Sequence, residues 1–138
     1  MNPVQIFFGA EGIKQVYGLS LKAKNIDIVC FSNQYDRIIG DYFDSNYSPK
    51  LYGDLRIKTR EILPDTKKNR QAAERKDKQK NQVKFIKLPQ KSESDYILFN
   101  NKAALISYNQ KSPFVCLVTD SDLVTNLKVQ FENLWKRL

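Results

Sequence analysis

Apolar and polar positions along this chain alternate between two periods. VQIFF at 4–8 reads as a strand, after which Ile13, Val16, Tyr17 and Leu21 recur at helical spacing until about Asn25. NIDIVCF at 25–31 is a nearly continuous apolar run, the pattern of a strand whose two faces are both covered by helices. Tyr35, Ile38, Ile39, Tyr42 and Phe43 form a second helical stripe, and a short helix is expected around Pro49 to Leu55. RIKTREIL at 56–63 alternates as a strand and is closed by Pro64. Four strand candidates then follow: VKFIKL at 83–88, YILF at 96–99, AALISY at 103–108 and FVCLV at 114–118. Three of these are joined by short polar turns, which predicts that part of the sheet is antiparallel. Asp120 or Ser121 can cap a final helix that carries Leu123, Val124, Leu127, Phe131, Leu134, Trp135 and Leu138 on one face. On that stripe Trp135 reads as core rather than as a ligand platform, and the stripe is expected to serve the chain's own core.

Length and composition change this picture mainly by exclusion. Residues 1–138 show no internal repeat and no Gly/Ser-rich or Pro-rich linker, so they read as one domain, long enough to bury roughly two thirds of its unfolded surface. No apolar run approaches the ~18 residues of a membrane span, and MNPVQIFFGAEG lacks the basic and apolar blocks of a signal peptide. A cytoplasmic location without membrane contact is expected. Cys30 and Cys116 each lie inside an apolar run, where a thiol acts as a small hydrophobe rather than half of a disulfide. The chain contains no histidine, which removes histidine-ligated zinc and every histidine general base. Neither a GxxxxGK[ST] loop nor a GxGxxG fingerprint is present, and GAEG after the first strand reads as a strand end and helix start. No cofactor or metal is expected.

The formal net charge of +8 points to an anionic partner, and its distribution matters more than its total. DTKKNRQAAERKDKQK at 65–80 holds seven Lys/Arg against three Asp/Glu, half of the whole excess. With only Ala72 and Ala73 apolar it cannot bury a helical face, so a solvated helix or mobile connection is expected. A nucleic-acid contact is the second reading, and no aromatic residue is interleaved there to stack on bases.

The succession VQIFFGAEGIKQVY, IDIVCFS, RIKTREILPD, DYILFNNKAALISY, FVCLVTDSDLV and FENLWKRL resembles the C-terminal effector domain of TrmB-type transcriptional regulators. The resemblance covers nearly the whole chain, and F-G-x-E-G-I with F-E-N-L-W carries most of it. It implies an α/β fold: a single phospholipase-D-like domain with a mixed parallel and antiparallel sheet flanked by helices and a long C-terminal helix. It further implies a winged helix and helical linker ahead of this domain, neither present in these residues. Either the chain is an excised domain, the favoured reading because Met1 directly precedes the first strand, or it is a stand-alone relative.

ESDYILFNNKAALISYN at 93–109 can be laid on the strand and turn where active phospholipase-D enzymes place a histidine, a lysine two residues later and an aspartate five beyond. Glu93, Asp95 and Asn100 then fall at those positions. None suits the chemistry: a carboxylate repels an anionic phosphate, and no nucleophile remains. The expected function is therefore a non-catalytic, effector-sensing, dimerising domain of a transcriptional regulator that reaches DNA only through a fused or separate winged helix. The alternative is a stand-alone basic protein that binds nucleic acid without reading sequence; a phosphodiesterase ranks third. A homodimer and a small polar or anionic metabolite are the expected partners. The candidate ligand residues are Arg60, with Asn100 and Lys102 at the Asn-Asn-Lys corner, because Arg offers a planar fork, Lys a point charge and Asn both donor and acceptor. The bland reading of the same residues is a tight turn at Asn100–Asn101 with Arg60 and Lys102 solvated.

Overall fold

Hydrophobic alternation places the strands correctly, and the computed structural model, which describes residues 2–138, orders them. The elements are β1 (Val4–Phe8), α1 (Gly9–Ser20), β2 (Asn25–Cys30), α2 (Asp36–Ile39), a π-helical turn (Phe43–Tyr47), α3 (Ser48–Gly53), β3 (Lys58–Pro64), α4 (Lys67–Glu74), β4 (Asn81–Ile86), β5 (Ser94–Phe99), β6 (Lys102–Ser107), β7 (Phe114–Val118) and α5 (Ser121–Arg137). All seven strands join one sheet of order β1-β7-β6-β5-β2-β3-β4. β2, β3 and β4 run parallel and are linked by helical crossovers. β5 returns antiparallel beside β2, and β6, β7 and β1 continue the antiparallel half. The β5–β6 corner turns at Asn100 and Asn101, both at positive φ (46° and 57°), a conformation that asparagine tolerates better than most residues.

Alternation along each strand feeds two cores. Ile13, Val16 and Tyr17 of α1, with Ile39, Tyr47 and Leu51, pack on Ile26, Ile28, Ile97, Ala104, Ile106, Val115 and Leu117 of the sheet. On the opposite face Val124 and Phe131 of α5 pack on Val29, Ile62, Leu98, Ala103 and Val118, so the C-terminal stripe does serve the chain's own core. Asp120 caps α5 by accepting the Leu123 N–H at 3.0 Å. Gly12 lets α1 lie against the end of β1: a Cβ there would stand 2.7 Å from the Phe7 carbonyl carbon.

One expectation needs correcting. The stripe from Tyr35 to Phe43 is not one helix: Gly40 adopts φ 61° and ends α2, and the chain resumes as the π turn and α3. The basic segment does form a solvated helix, α4, which buries no residue, and beyond it Lys76 Nζ donates to buried Glu61 at 2.9 Å and Lys80 Nζ to the Leu51 carbonyl at 3.1 Å. Cys30 and Cys116 pack against opposite faces of the sheet and are both free.

Candidate functional site

β2 ends where β5 begins, and Glu93, just before β5, and Asp95 within it bring two acidic side chains to the loop that leaves β2. Asp95 pairs with Cys30 across the ladder, which directs its side chain to the α1 face. Its carboxylate accepts the Ser32 backbone N–H at 3.0 Å and the Ser32 hydroxyl at 2.9 Å. Two residues earlier, Glu93 accepts the backbone N–H groups of Asn33 and Gln34, each at 3.3 Å. Three consecutive amides of the Ser32–Gln34 loop are thus tied by the two carboxylates.

Around Asp95 the space is filled rather than open. Tyr17 and Tyr108 share a short hydroxyl–hydroxyl contact, and Ser20 Oγ bonds the Tyr47 hydroxyl at 2.7 Å. The Tyr17 ring lies 4.6 Å from that of Tyr47, and Tyr35 packs on Phe43 and Tyr108. Burial pushes the Asp95 carboxyl up to about 6, an effect that the bonds from Ser32 only partly offset. Burial, and then the Asp95 charge, pushes the Cys30 thiol up, so it is a poor nucleophile. Burial likewise raises Tyr17 and Tyr108. Chemically the cluster holds a loop: Asp95 is buried, and both of its carboxylate oxygens accept from Ser32.

The expected ligand residues are not gathered on one surface. Arg60 forks onto Asp27 (2.8 and 2.9 Å), reaches Glu132 of α5 at 2.5 Å, and lies 5.0 Å from the Phe131 ring. It holds α5 on the sheet, and the two carboxylates raise its pKa further. Lys102 pairs with Phe99 across the hairpin and belongs to the α1 face, opposite to Arg60. Asn100 forms the corner with Asn101, whose side chain accepts from Lys128 of α5 at 3.0 Å. A groove of about 290 Å³ does run beside Arg60, lined also by Asn25, Lys58, Lys80 and Gln82.

Sequence reasoning did not find the partners of Glu93 and Asp95. Ser32 reaches Asp95 only because β5 pairs with β2, and no local pattern marks it. The one available signal was a pair of carboxylates flanking Ser94 at the head of an apolar strand, where β-propensity alone would not put them.

No sequence-family model and no curated protein matches the chain. Solved structures do. TrmBL2, an archaeal chromatin protein whose structure shows a novel mode of DNA binding, superposes with a TM-score of 0.59 at 13% identity, over 99% of this chain and 54% of that one. The present chain therefore spans about half of TrmBL2. The phospholipase D family member Nuc from Salmonella typhimurium gives a TM-score of 0.64 at 12% identity, over 96% of this chain and 93% of that one. NucT from Helicobacter pylori gives 0.57 at 10%, over 96% and 95%. At such identities the likeness concerns the fold, and that fold is phospholipase-D-like: one α/β domain with a mixed seven-stranded sheet and a long C-terminal helix.

Proposed function

We propose that this domain is a non-catalytic member of the phospholipase-D-like fold that serves a DNA-associated regulator as its sensing and pairing module. The observation that carries the reading is the use made of Glu93 and Asp95. At positions where the enzymes' histidine and lysine are expected, both carboxylates are occupied in holding the Ser32–Gln34 loop. An active centre needs its groups free to touch a phosphate, whereas these are bonded to backbone and bear the wrong charge. TrmBL2, which shares this fold, is a chromatin protein, which supports a DNA-associated setting.

Pairing is assigned to the β1 edge and to a second copy of the chain. Ile6 is 51% exposed and Phe8 73%, and both lie on one face of an edge strand with an unpaired backbone. Residues 2–10 carry no charged side chain in a chain of net charge +8, so the side chains of two copies meet here with little repulsion. Antiparallel pairing about Ile6 sets Val4 of each copy against Phe8 of the other, a self-complementary contact of the kind a two-fold interface requires. Sensing is assigned to the groove beside Arg60, where Lys58, which makes no ion pair among the described residues, supplies a cation for a small anionic or polyhydroxylated metabolite.

A thermal-shift screen against sugars, sugar phosphates and nucleotides tests the sensing part, because a ligand of the folded state raises its stability by mass action. We expect a hit whose shift is lost in Lys58→Ala. A hit unaffected by Lys58→Ala rejects this groove, and no hit across the panel rejects sensing of that metabolite class.

A further inference from the structure

The net charge of this molecule is concentrated at one edge. Residues 65–91 hold ten Lys/Arg against three Asp/Glu, a net of +7 out of the chain's +8. These residues form the last strand of the sheet, β4, and the polar helix α4 that leads to it. An open groove of about 630 Å³ runs along this edge between α4 and the end of α5, lined by Arg70, Lys78, Asn81, Lys84, Phe85 and Trp135, with Glu74 its one acidic residue.

Two features of this edge lack a structural reason. α4 buries no residue and starts with Lys67 and Lys68 and no acidic residue in its first turn, where the helix dipole disfavours cations. An anion bound there would reverse that penalty. Lys78 is exposed and makes no ion pair among the described residues. The aromatic residues that 65–80 itself lacks are supplied by β4 and α5, but their rings are already engaged. Arg70 lies 4.4 Å over Phe85 and Lys84 4.6 Å over Trp135, whose ring also stacks on Phe131. No free platform is left for base stacking, whereas the cations themselves are held in place along the groove.

We infer that the α4–β4 edge binds the phosphate backbone of a nucleic-acid duplex without reading its bases. This surface is separate from the β1 edge, and although Gln82 lines both grooves, none of Lys67, Lys68 and Lys78 lines the groove beside Arg60, so different side chains test it than test sensing and pairing. Counterion release makes such binding steeply salt-dependent, with a slope set by the number of phosphates neutralised.

The test is fluorescence anisotropy of a labelled, mixed-sequence DNA duplex of about 24 base pairs, titrated with the full chain from about 50 to 200 mM salt. One variant combines Lys67→Ala, Lys68→Ala and Lys78→Ala. A control combines Lys22→Ala, Arg37→Ala and Lys111→Ala, removing the same charge from exposed positions in other elements. Far-UV circular dichroism checks that both remain folded. The expected result is that the first variant lowers the log–log salt slope by about 2 to 3 while the control leaves it near wild type. Equal weakening by the two variants would show diffuse charge rather than a site. Absence of binding by the wild type at low salt, or tighter binding of the matching single strand, would likewise overturn the inference.

Discussion

Asp95 concentrates the physical problem that the domain has solved at the scale of one residue. A carboxylate only 4% exposed is accepted because two donors of Ser32 point at it, yet burial still holds its pKa near 6. That value lies above the unfolded carboxylate's, about 4, so the folded state binds the proton more tightly between the two. Stability from this group is therefore fully present below about pH 4 and is lost as pH rises through about 6. We expect Asp95→Asn to remove a slope worth roughly 2 kcal/mol, read as the difference in urea unfolding free energy between about pH 4 and pH 7 relative to wild type. An unchanged slope would show that Asp95 is not the group responsible. That two carboxylates flank Ser94 was legible in the sequence, because it is a matter of residue identity alone. Their bonding to the 32–34 loop was not, because it depends on β5 lying beside β2, sixty residues away along the chain.

At the scale of elements, long periodic segments were readable and interrupted ones were not. α5 has a capping Asp120 and helical spacing from Val124 to Trp135, so its extent follows from local signals, although Leu123 and Leu138 of the expected stripe are exposed. The region from Tyr35 to Gly53 has apolar residues at helical spacing, but Gly40 at φ 61° breaks it, and the spacing does not record that break. The docking of Lys76 and Lys80 also escaped local reading, since Glu61 and the Leu51 carbonyl come from other elements. The junction of β1 and α1 yields a second prediction. A Cβ at Gly12 would lie 2.7 Å from the Phe7 carbonyl carbon and 2.9 Å from its Cβ, too close for a neighbour that is mostly backbone to yield. We expect Gly12→Ala to cost about 1 to 3 kcal/mol in chemical denaturation, whereas Gly18→Ala, with nothing within 4 Å, should be neutral or slightly stabilising. Edge strand β1 carries a third. Ile6→Lys places a charge at the centre of the proposed two-fold contact, and we expect light scattering at tens of micromolar to change from dimer mass to monomer mass. A wild type already monomeric under those conditions would reject pairing through this edge.

The whole molecule separates its duties by region. Aromatic residues fill the space beside Asp95, the uncharged edge lies at β1, and nearly all the net charge lies at the α4–β4 edge. Strand order was the part of the fold least accessible to sequence, since β1 pairs with β7 across most of the chain's length and β2 with β5 across half of it. The central claim, however, concerns chemistry: the positions expected to catalyse have become structural ties. Its most direct test is the turnover of a chromogenic phosphodiester by purified wild-type protein, run beside Asp95→Asn across about pH 5 to 8. We expect neither protein to exceed the protein-free rate at any pH, while both remain folded. Turnover that scales with wild-type concentration and disappears in Asp95→Asn would contradict the claim and restore this cluster as an active site.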